Sequence, residues 1–251
     1  MMPDAASQLA TLLIAARADP AYKVAAVVAD LRPADNAGAY AVQQAVAATF
    51  GPIGGWKVGA PGGNTICGAL PAATIVASPA SLPSATHVMR GIEAEVAFRM
   101  GADLPPRAAP YSRAEVVAAI ATMHPAIEVL ESRFVEPNDH DLMTNLADIQ
   151  SHGGFVYGAG RGDWHDIDLS QEVCEQYVEG ALHTSRTGYP FGDIIKMMEW
   201  LANVGSHWAG GLKSGQFVTC GSWTGAARVA AGAKVRVTFA SLGEVLVDYP
   251  A

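Results

Sequence analysis

The sequence predicts an α+β fold with a sheet-built core and helices gathered mainly in its first fifty residues. Three observations lead there. Leu9, Leu12, Leu13 and Ala16 recur at helical spacing, residues 91–99 and 126–130 are β-branched or aliphatic strand-like runs, and residues 234–239 and 244–249 alternate around Ser241-Leu242-Gly243 as hairpin strands do. With 251 residues, half of them hydrophobic and 16% charged, the chain can build one large domain, or one domain with a small appendage.

In chain order, the first helix is followed by a second that Asp35 caps and that ends before Gly51. Residues 51–63 are glycine-rich and bracket a short strand around Trp56 and Val58. They contain neither G-x-x-x-x-G-K-[ST] nor G-x-G-x-x-G between a strand and a helix, so a nucleotide loop has no support. Pro71, Pro79 and Pro83 mark an irregular connection, which places a boundary near residue 75. Residues 1–75 then form an N-terminal helical region with the glycine-rich segment, and residues 76–251 form the catalytic core. Ser112 with Glu115 makes a capping box opening a helix that runs to about Met123. Phe191, Ile194, Ile195, Met198, Leu201 and Ala202 give a later helix an apolar, core-facing stripe, with Trp200 and Trp208 nearby.

A net charge of −8, a pI near 5.3 and only 16 Lys plus Arg exclude a phosphate-backbone partner. Cys67, Cys174 and Cys220 are scattered and odd in number, which suits a reducing cytoplasm and supports neither a disulfide framework nor a zinc site. The apolar run at residues 9–16 follows Asp4 and is preceded by no Lys or Arg, unlike a signal peptide, and no stretch reaches the 18 apolar residues of a membrane span. The expectation is a soluble cytoplasmic protein with no nucleic-acid or membrane partner.

The most telling feature is Gly91-Ile92-Glu93-Ala94-Glu95-Val96. In a strand, Ile92, Ala94 and Val96 share one face, while Glu93 and Glu95 share the other, roughly 6.6 Å apart. At an effective dielectric of ~20 such charges repel by roughly 2.5 kcal/mol, so a partly buried pair either shifts its pKa or holds a cation. Glu128, in a second strand-like run, adds a third oxygen ligand. Three carboxylates suit Mg²⁺ or Mn²⁺, which keeps open positions for a substrate's oxygens. The bland alternative is that these glutamates simply line the solvent face of an amphipathic strand.

With these segments in hand, the chain resembles the 2-keto-4-pentenoate hydratase and 4-oxalocrotonate decarboxylase branch of the fumarylacetoacetate hydrolase superfamily. The resemblance is carried by Gly55-Trp56-Lys57-Val58-Gly59, by Ile92-Glu93-Ala94-Glu95-Val96, by Ala126-Ile127-Glu128-Val129-Leu130-Glu131-Ser132-Arg133, by residues 147–154 and by residues 212–225, in the family's order. It implies a mixed, rolled β-sheet core with an N-terminal helical region, usually homo-oligomeric and in some cases associated with another enzyme of its pathway. It also implies a Mg²⁺ or Mn²⁺ cofactor on Glu93, Glu95 and Glu128, catalytic roles for Lys57, Asp148 and Ser151, and substrate contacts at Leu70, Ser222 and Thr224. The implied substrate is a small unsaturated 2-oxo acid. Its carboxylate and carbonyl oxygens would reach the cation, which as a Lewis acid stabilises enolate charge. Water addition to 2-hydroxypenta-2,4-dienoate is the first expectation; decarboxylation of 4-oxalocrotonate and C–C hydrolysis of an acylpyruvate are the alternatives, and a non-catalytic 2-oxo acid binder is the reading from another class.

Two departures bear on that choice. Gly68-Ala69-Leu70-Pro71-Ala72-Ala73 contains no carboxylate where hydratases of the family commonly carry an aspartate. Ile149 stands where the family has asparagine after Asp148. His124 and His152 flank two site segments and are weaker candidates for a general base, because a lone histidine beside Pro125 or in a glycine turn more often has a structural role.

Overall fold

A computed structural model describes residues 4–136 and 140–251. In chain order the elements used below are α1 (Ala5–Ala18), α2 (Asn36–Ala47), β1 (Ile53–Gly59), β2 (Ile66–Pro71), β3 (Ile75–Ala77), β4 (Ala80–Ser81), β5 (Gly91–Met100), α3 (Arg113–Ala118), β6 (Ile120–Leu130), α4 (Leu142–Ala147), β7 (His152–Tyr157), β8 (Val173–Val178), β9 (Ala181–Thr187), α5 (Ile194–Trp200), β10 (Phe217–Thr219), β11 (Ala227–Arg228), β12 (Lys234–Phe239) and β13 (Gly243–Asp248). Both N-terminal helices begin at side-chain caps: the Asp4 and Asp35 carboxylates accept from the N–H groups of Ser7 and Gly38. Their apolar faces meet through Leu9, Leu13, Val42 and Val46 and cover Leu146, Ala147 and Ile149.

The larger sheet has the order β2-β1-β10-β5-β6-β7-β3, with β11 paired to β5. It is mixed: β1 with β10 and β3 with β7 are parallel, whereas β5 with β6 and β6 with β7 are antiparallel. The sheet rolls until its far strand meets its near one. A Cβ on Gly54 would lie 2.6 Å from the Ala72 Cα and 2.9 Å from the Ile75 Cδ1, so this closure needs a residue without a side chain. Leu70, Ala97, Ala126, Phe155 and Phe217 fill the inside of the roll. A second sheet, β4-β13-β12-β8-β9, contributes Val235, Val237, Val245 and Val247 to the main core, opposite Ile92, Ala94, Val96, Ile127 and Val129. The fold is therefore α+β with a mixed, rolled sheet and an N-terminal helical region, as the sequence and its resemblance indicate.

Three details differ from the sequence expectation. The boundary near residue 75 separates no structural units, because β2 and β3 on its two sides belong to one sheet. The helix opened by Ser112 stops at Ala118, and residues 120–130 are a single strand that pairs along almost its whole length with β5. Local helix propensity in the alanine-rich segment yields there to sheet pairing. The later helix begins at Ile194 rather than Phe191, which is 55% exposed. Among the described residues, no helix is long and apolar enough to cross a membrane.

Candidate active site

Since Ile92, Ala94 and Val96 face the second sheet, Glu93 and Glu95 must point into the roll. Antiparallel pairing then sets Glu128 of β6 directly opposite Glu93. The result is a cluster in which one carboxylate oxygen from each of Glu93, Glu95 and Glu128 lies within 4.8 Å of the others. Glu95 and Glu128 are each 1% exposed, which excludes the solvent-face alternative. Lys57 on β1 donates to Glu128 Oε1 and, at 3.1 Å, to the Gln150 carbonyl. Thr219 on β10, next to Lys57 in the parallel register, donates to Glu95 Oε2. His152 lies behind Glu128: its Nδ1 is 3.7 Å from Glu128 Oε1 and its Nε2 is 2.8 Å from Thr74 Oγ1.

Charge crowding shows in the titration of the cluster. Burial, reinforced by the Glu128 charge and opposed by Lys57, pushes Glu93 up to about 7. Burial and then the Glu128 and Glu93 charges hold Glu95 well above the ordinary carboxylate range. For Glu128, burial acts upward but is outweighed by Lys57 and His152, and its pKa is lowered. For Lys57, burial acts downward but is outweighed by Glu128 and Glu93, so the ammonium form is held. Burial takes His152 down to about 4, leaving a neutral imidazole at pH 7. Three hard oxygen donors that resist full ionisation together are a donor set suited to a divalent cation such as Mg²⁺ or Mn²⁺, whose charge offsets the repulsion.

The site depends on an unusual turn. Ile149, Gln150 and Ser151 have φ of +56°, +51° and +60°, three successive non-glycine residues in the left-handed region. Ile149 is fully buried in the apolar cluster built by α1 and α2, which clamps the turn and aims the Gln150 carbonyl at Lys57. Gly68 permits the approach, because a Cβ there would lie 2.8 Å from Ile149 Cγ2 and 3.1 Å from Lys57 Cγ. The residue that departs from the family pattern thus serves as the anchor linking the N-terminal helices to the acidic cluster.

Several residues expected at the site are placed elsewhere. The fully buried Asp148 carboxylate, expected to be catalytic, is ion-paired with two guanidiniums, Arg133 Nε at 2.8 and 2.9 Å and Arg17 Nη2 at 2.9 Å. Ser151 Oγ is likewise taken up, donating to Asn145 Oδ1 at 3.1 Å. Leu70, expected to touch substrate, is buried in the apolar filling of the roll. Thr224 Oγ1 donates to Gln176 Oε1 at 3.0 Å and accepts from the Ala94 N–H at 3.4 Å, leaving it engaged in holding β5. Ser222 Oγ is buried with no hydrogen-bond partner among the described residues. His124 sits between Thr122 and the Gly158 carbonyl, farther along β6, where a structural role is sufficient. An Asp148→Asn variant is expected to lose about 3–5 kcal/mol of stability, because it leaves the buried Arg133 and the partly buried Arg17 guanidiniums with no carboxylate. A urea-unfolding midpoint measures this loss.

Sequence reading missed Thr219, Gln150, Asn145 and Phe191. All four belong to or adjoin a cavity of about 350 Å³, lined by Gly59, Leu142, Asn145, Gln150, Phe191 and Cys220 among others. The cavity lies beside the cluster: Gly59 is two residues after Lys57 on β1, Cys220 follows Thr219, and Gln150 is the partner of Lys57. Its lining carries no Lys, Arg or His, and burial raises the Cys220 thiol so that it stays neutral. Ile149-Gln150-Ser151, three residues without a glycine, give no hint in the sequence of a left-handed turn, and Phe191 reads as helix core by spacing alone.

No family profile matches the chain. A curated 4-oxalocrotonate decarboxylase from Pseudomonas putida is 29% identical over 136 residues, covering 52% of this chain and 50% of that protein. The chain thus spans about half the length of that curated relative. The solved 4-oxalocrotonate decarboxylase from Pseudomonas putida G7, complexed with magnesium and adipate, has a TM-score of 0.80 at 22% identity and is covered over 97% of both chains. The chain is similar in sequence to 4-oxalocrotonate decarboxylases and shares the fold of fumarylacetoacetate hydrolase superfamily structures. The fumarylacetoacetate hydrolase from Exiguobacterium antarcticum shares the fold at a TM-score of 0.60, with 14% identity over 80% of this chain and 76% of that one. The rolled sheet gathers the three glutamates and Lys57 in its interior, next to residues that line the apolar cavity.

Proposed function

We propose that the protein is a divalent-cation-dependent decarboxylase of a short unsaturated 2-oxo diacid of the 4-oxalocrotonate type. The observation that carries this reading is the buried Glu93-Glu95-Glu128 cluster, ion-paired to Lys57 and joined through Gln150 to a neighbouring cavity without a cationic side chain in its lining. Relatives named 4-oxalocrotonate decarboxylase support it over the water addition expected first, and one of them is solved with magnesium and with adipate, a six-carbon diacid. The missing carboxylate at Ala72 and Ala73, where hydratases commonly place an acid, points the same way.

Glu93, Glu95 and Glu128 would hold the cation. When bound, it supplies Lewis-acid stabilisation of negative charge on the 2-oxo oxygen. Three glutamates, a divalent cation and the Lys57 ammonium sum to zero, so the substrate's own first carboxylate enters a site free of net repulsion. Lys57 is placed to balance charge on the oxo oxygen as it develops. The distal carboxylate lies in the apolar cavity, where Asn145 and Gln150 offer neutral amides. An amide orients a carboxylate without holding its charge as a guanidinium would. The carbon–carbon bond to that carboxylate breaks, carbon dioxide leaves, and the electron pair passes along the conjugated carbons to the 2-oxo oxygen. A proton then restores the neutral dienol or its keto form. Charge moves from the apolar cavity toward Lys57, and a dry environment around the departing group favours that displacement.

Incubating the Mg²⁺- or Mn²⁺-loaded protein with 4-oxalocrotonate, 2-hydroxypenta-2,4-dienoate and an acylpyruvate tests the reading. Carbon dioxide release from the first is the expected result. Hydration of the second, or chain cleavage of the third, with no carbon dioxide from the first, would replace it with a hydratase or a hydrolase.

A further inference from the structure

A second cavity, of about 300 Å³, lies between α1 and the edges of β2 and β7. Buried His152 separates it from the acidic cluster: the residue lines this cavity and sets its Nδ1 3.7 Å from Glu128. Arg17, Lys23, Arg133 and Glu131 make its polar side, and Phe50 and Pro71 part of an apolar wall. The charges there do not cancel. Lys23 pairs with Glu131 at 3.0 Å, but Arg17 and Arg133 converge on the single carboxylate of Asp148. Three cations thus face two carboxylates, an excess of one positive charge in a protein whose net charge is −8.

Arg17 carries the surplus. Arg133 takes both Asp148 oxygens through Nε, whereas Arg17 holds only Oδ1 and the Asp148 carbonyl, plus a 3.4 Å contact with the His152 carbonyl. The Arg17 Nε is buried with no partner among the described residues, while the side chain as a whole is 15% exposed and lines the cavity. Burial first, and then the charge of Arg133, brings the Arg17 pKa down to about 9, the mark of a guanidinium short of counter-charge.

We infer that this cavity binds a small organic monocarboxylate, with its carboxylate on Arg17 and its carbon skeleton against Phe50 and Pro71. One anionic charge matches the surplus. A phosphate dianion would overshoot it and leave the apolar wall uncovered. The site is separate from the acidic cluster and holds whether or not the protein is a decarboxylase.

Butyrate titrated into the metal-free, full-length protein, followed by backbone amide NMR shifts, tests the inference. The metal-free state is chosen because the three glutamates then repel a carboxylate from the other cavity. Saturable shifts centred on Arg17, Thr74 and Gly153 are expected. An Arg17→Met change should weaken binding by about tenfold or more, the loss of one charged hydrogen bond. Ala73→Leu, which fills the cavity and removes no charge, should weaken it as well, and it decides the matter alone if Arg17→Met fails to fold. Lys57→Met should leave binding within a factor of about two. The inference is overturned if butyrate causes no saturable shift, if binding ignores Ala73→Leu, or if inorganic phosphate binds more tightly than butyrate.

Discussion

A Glu95→Gln variant is expected to lose kcat/KM by about 10³-fold or more, near 4 kcal/mol of transition-state stabilisation, with loss of the thermal stabilisation that Mg²⁺ or Mn²⁺ gives the wild type. Glu95 is fully enclosed, receives the Thr219 hydroxyl and faces two further carboxylates, so no neighbouring oxygen can replace it. The metal-free proteins should differ in the opposite direction. A carboxylate whose folded pKa is raised contributes stability that is present below its unfolded value and lost as pH rises through the folded one. Glu93, ordinarily near 4.5 and held at about 7, predicts declining stability of the metal-free wild type across that window, and Glu95, also held above its ordinary range, adds to the decline. Replacing the Glu95 carboxylate with a neutral amide removes part of this repulsion. Melting curves from pH 5 to pH 8, with and without the cation, should therefore show metal-free Glu95→Gln above metal-free wild type at the alkaline end, while only the wild type responds to metal. A variant with full turnover and an unchanged metal response would remove the cluster from the chemistry.

Lys57→Met is expected to lower kcat by about 10²–10⁴-fold while keeping, or tightening, cation binding. The ammonium is buried and its charge is held by Glu128 and Glu93, so its removal leaves the trio more negative and the substrate without a positive group other than the cation. A split in which metal affinity survives and turnover collapses separates this role from simple damage to the fold. Calorimetric titration of the cation alongside steady-state kinetics reads both quantities. Loss of both together would instead make Lys57 a structural partner of Glu128.

Much of this was legible along the chain. Strand alternation put Glu93 and Glu95 on one face opposite Ile92, Ala94 and Val96, and that face is indeed the interior of the roll. The hairpin near the C-terminus and the caps at Asp35 and Ser112 were readable for the same reason: they rest on residues within a few positions of one another. The length of β6 was not, because it is set by pairing with β5 rather than by local propensity. Asp148 looked like a pocket residue by its place in a family-like segment, yet its partners Arg17 and Arg133 lie 131 and 15 positions away, with no spacing rule that pairs them with it.

By itself the sequence determined the α+β class, the paired acids of one strand and a third acid of like character, since side-chain alternation and burial pattern are short-range properties. Only the tertiary structure decided that Glu128 stands across from Glu93, that Lys57 and Thr219 complete the cluster, and that a left-handed turn anchored by Ile149 presents Gln150. Those outcomes follow from strand register and from sheet closure at Gly54, which join residues through space with no trace in their spacing along the chain.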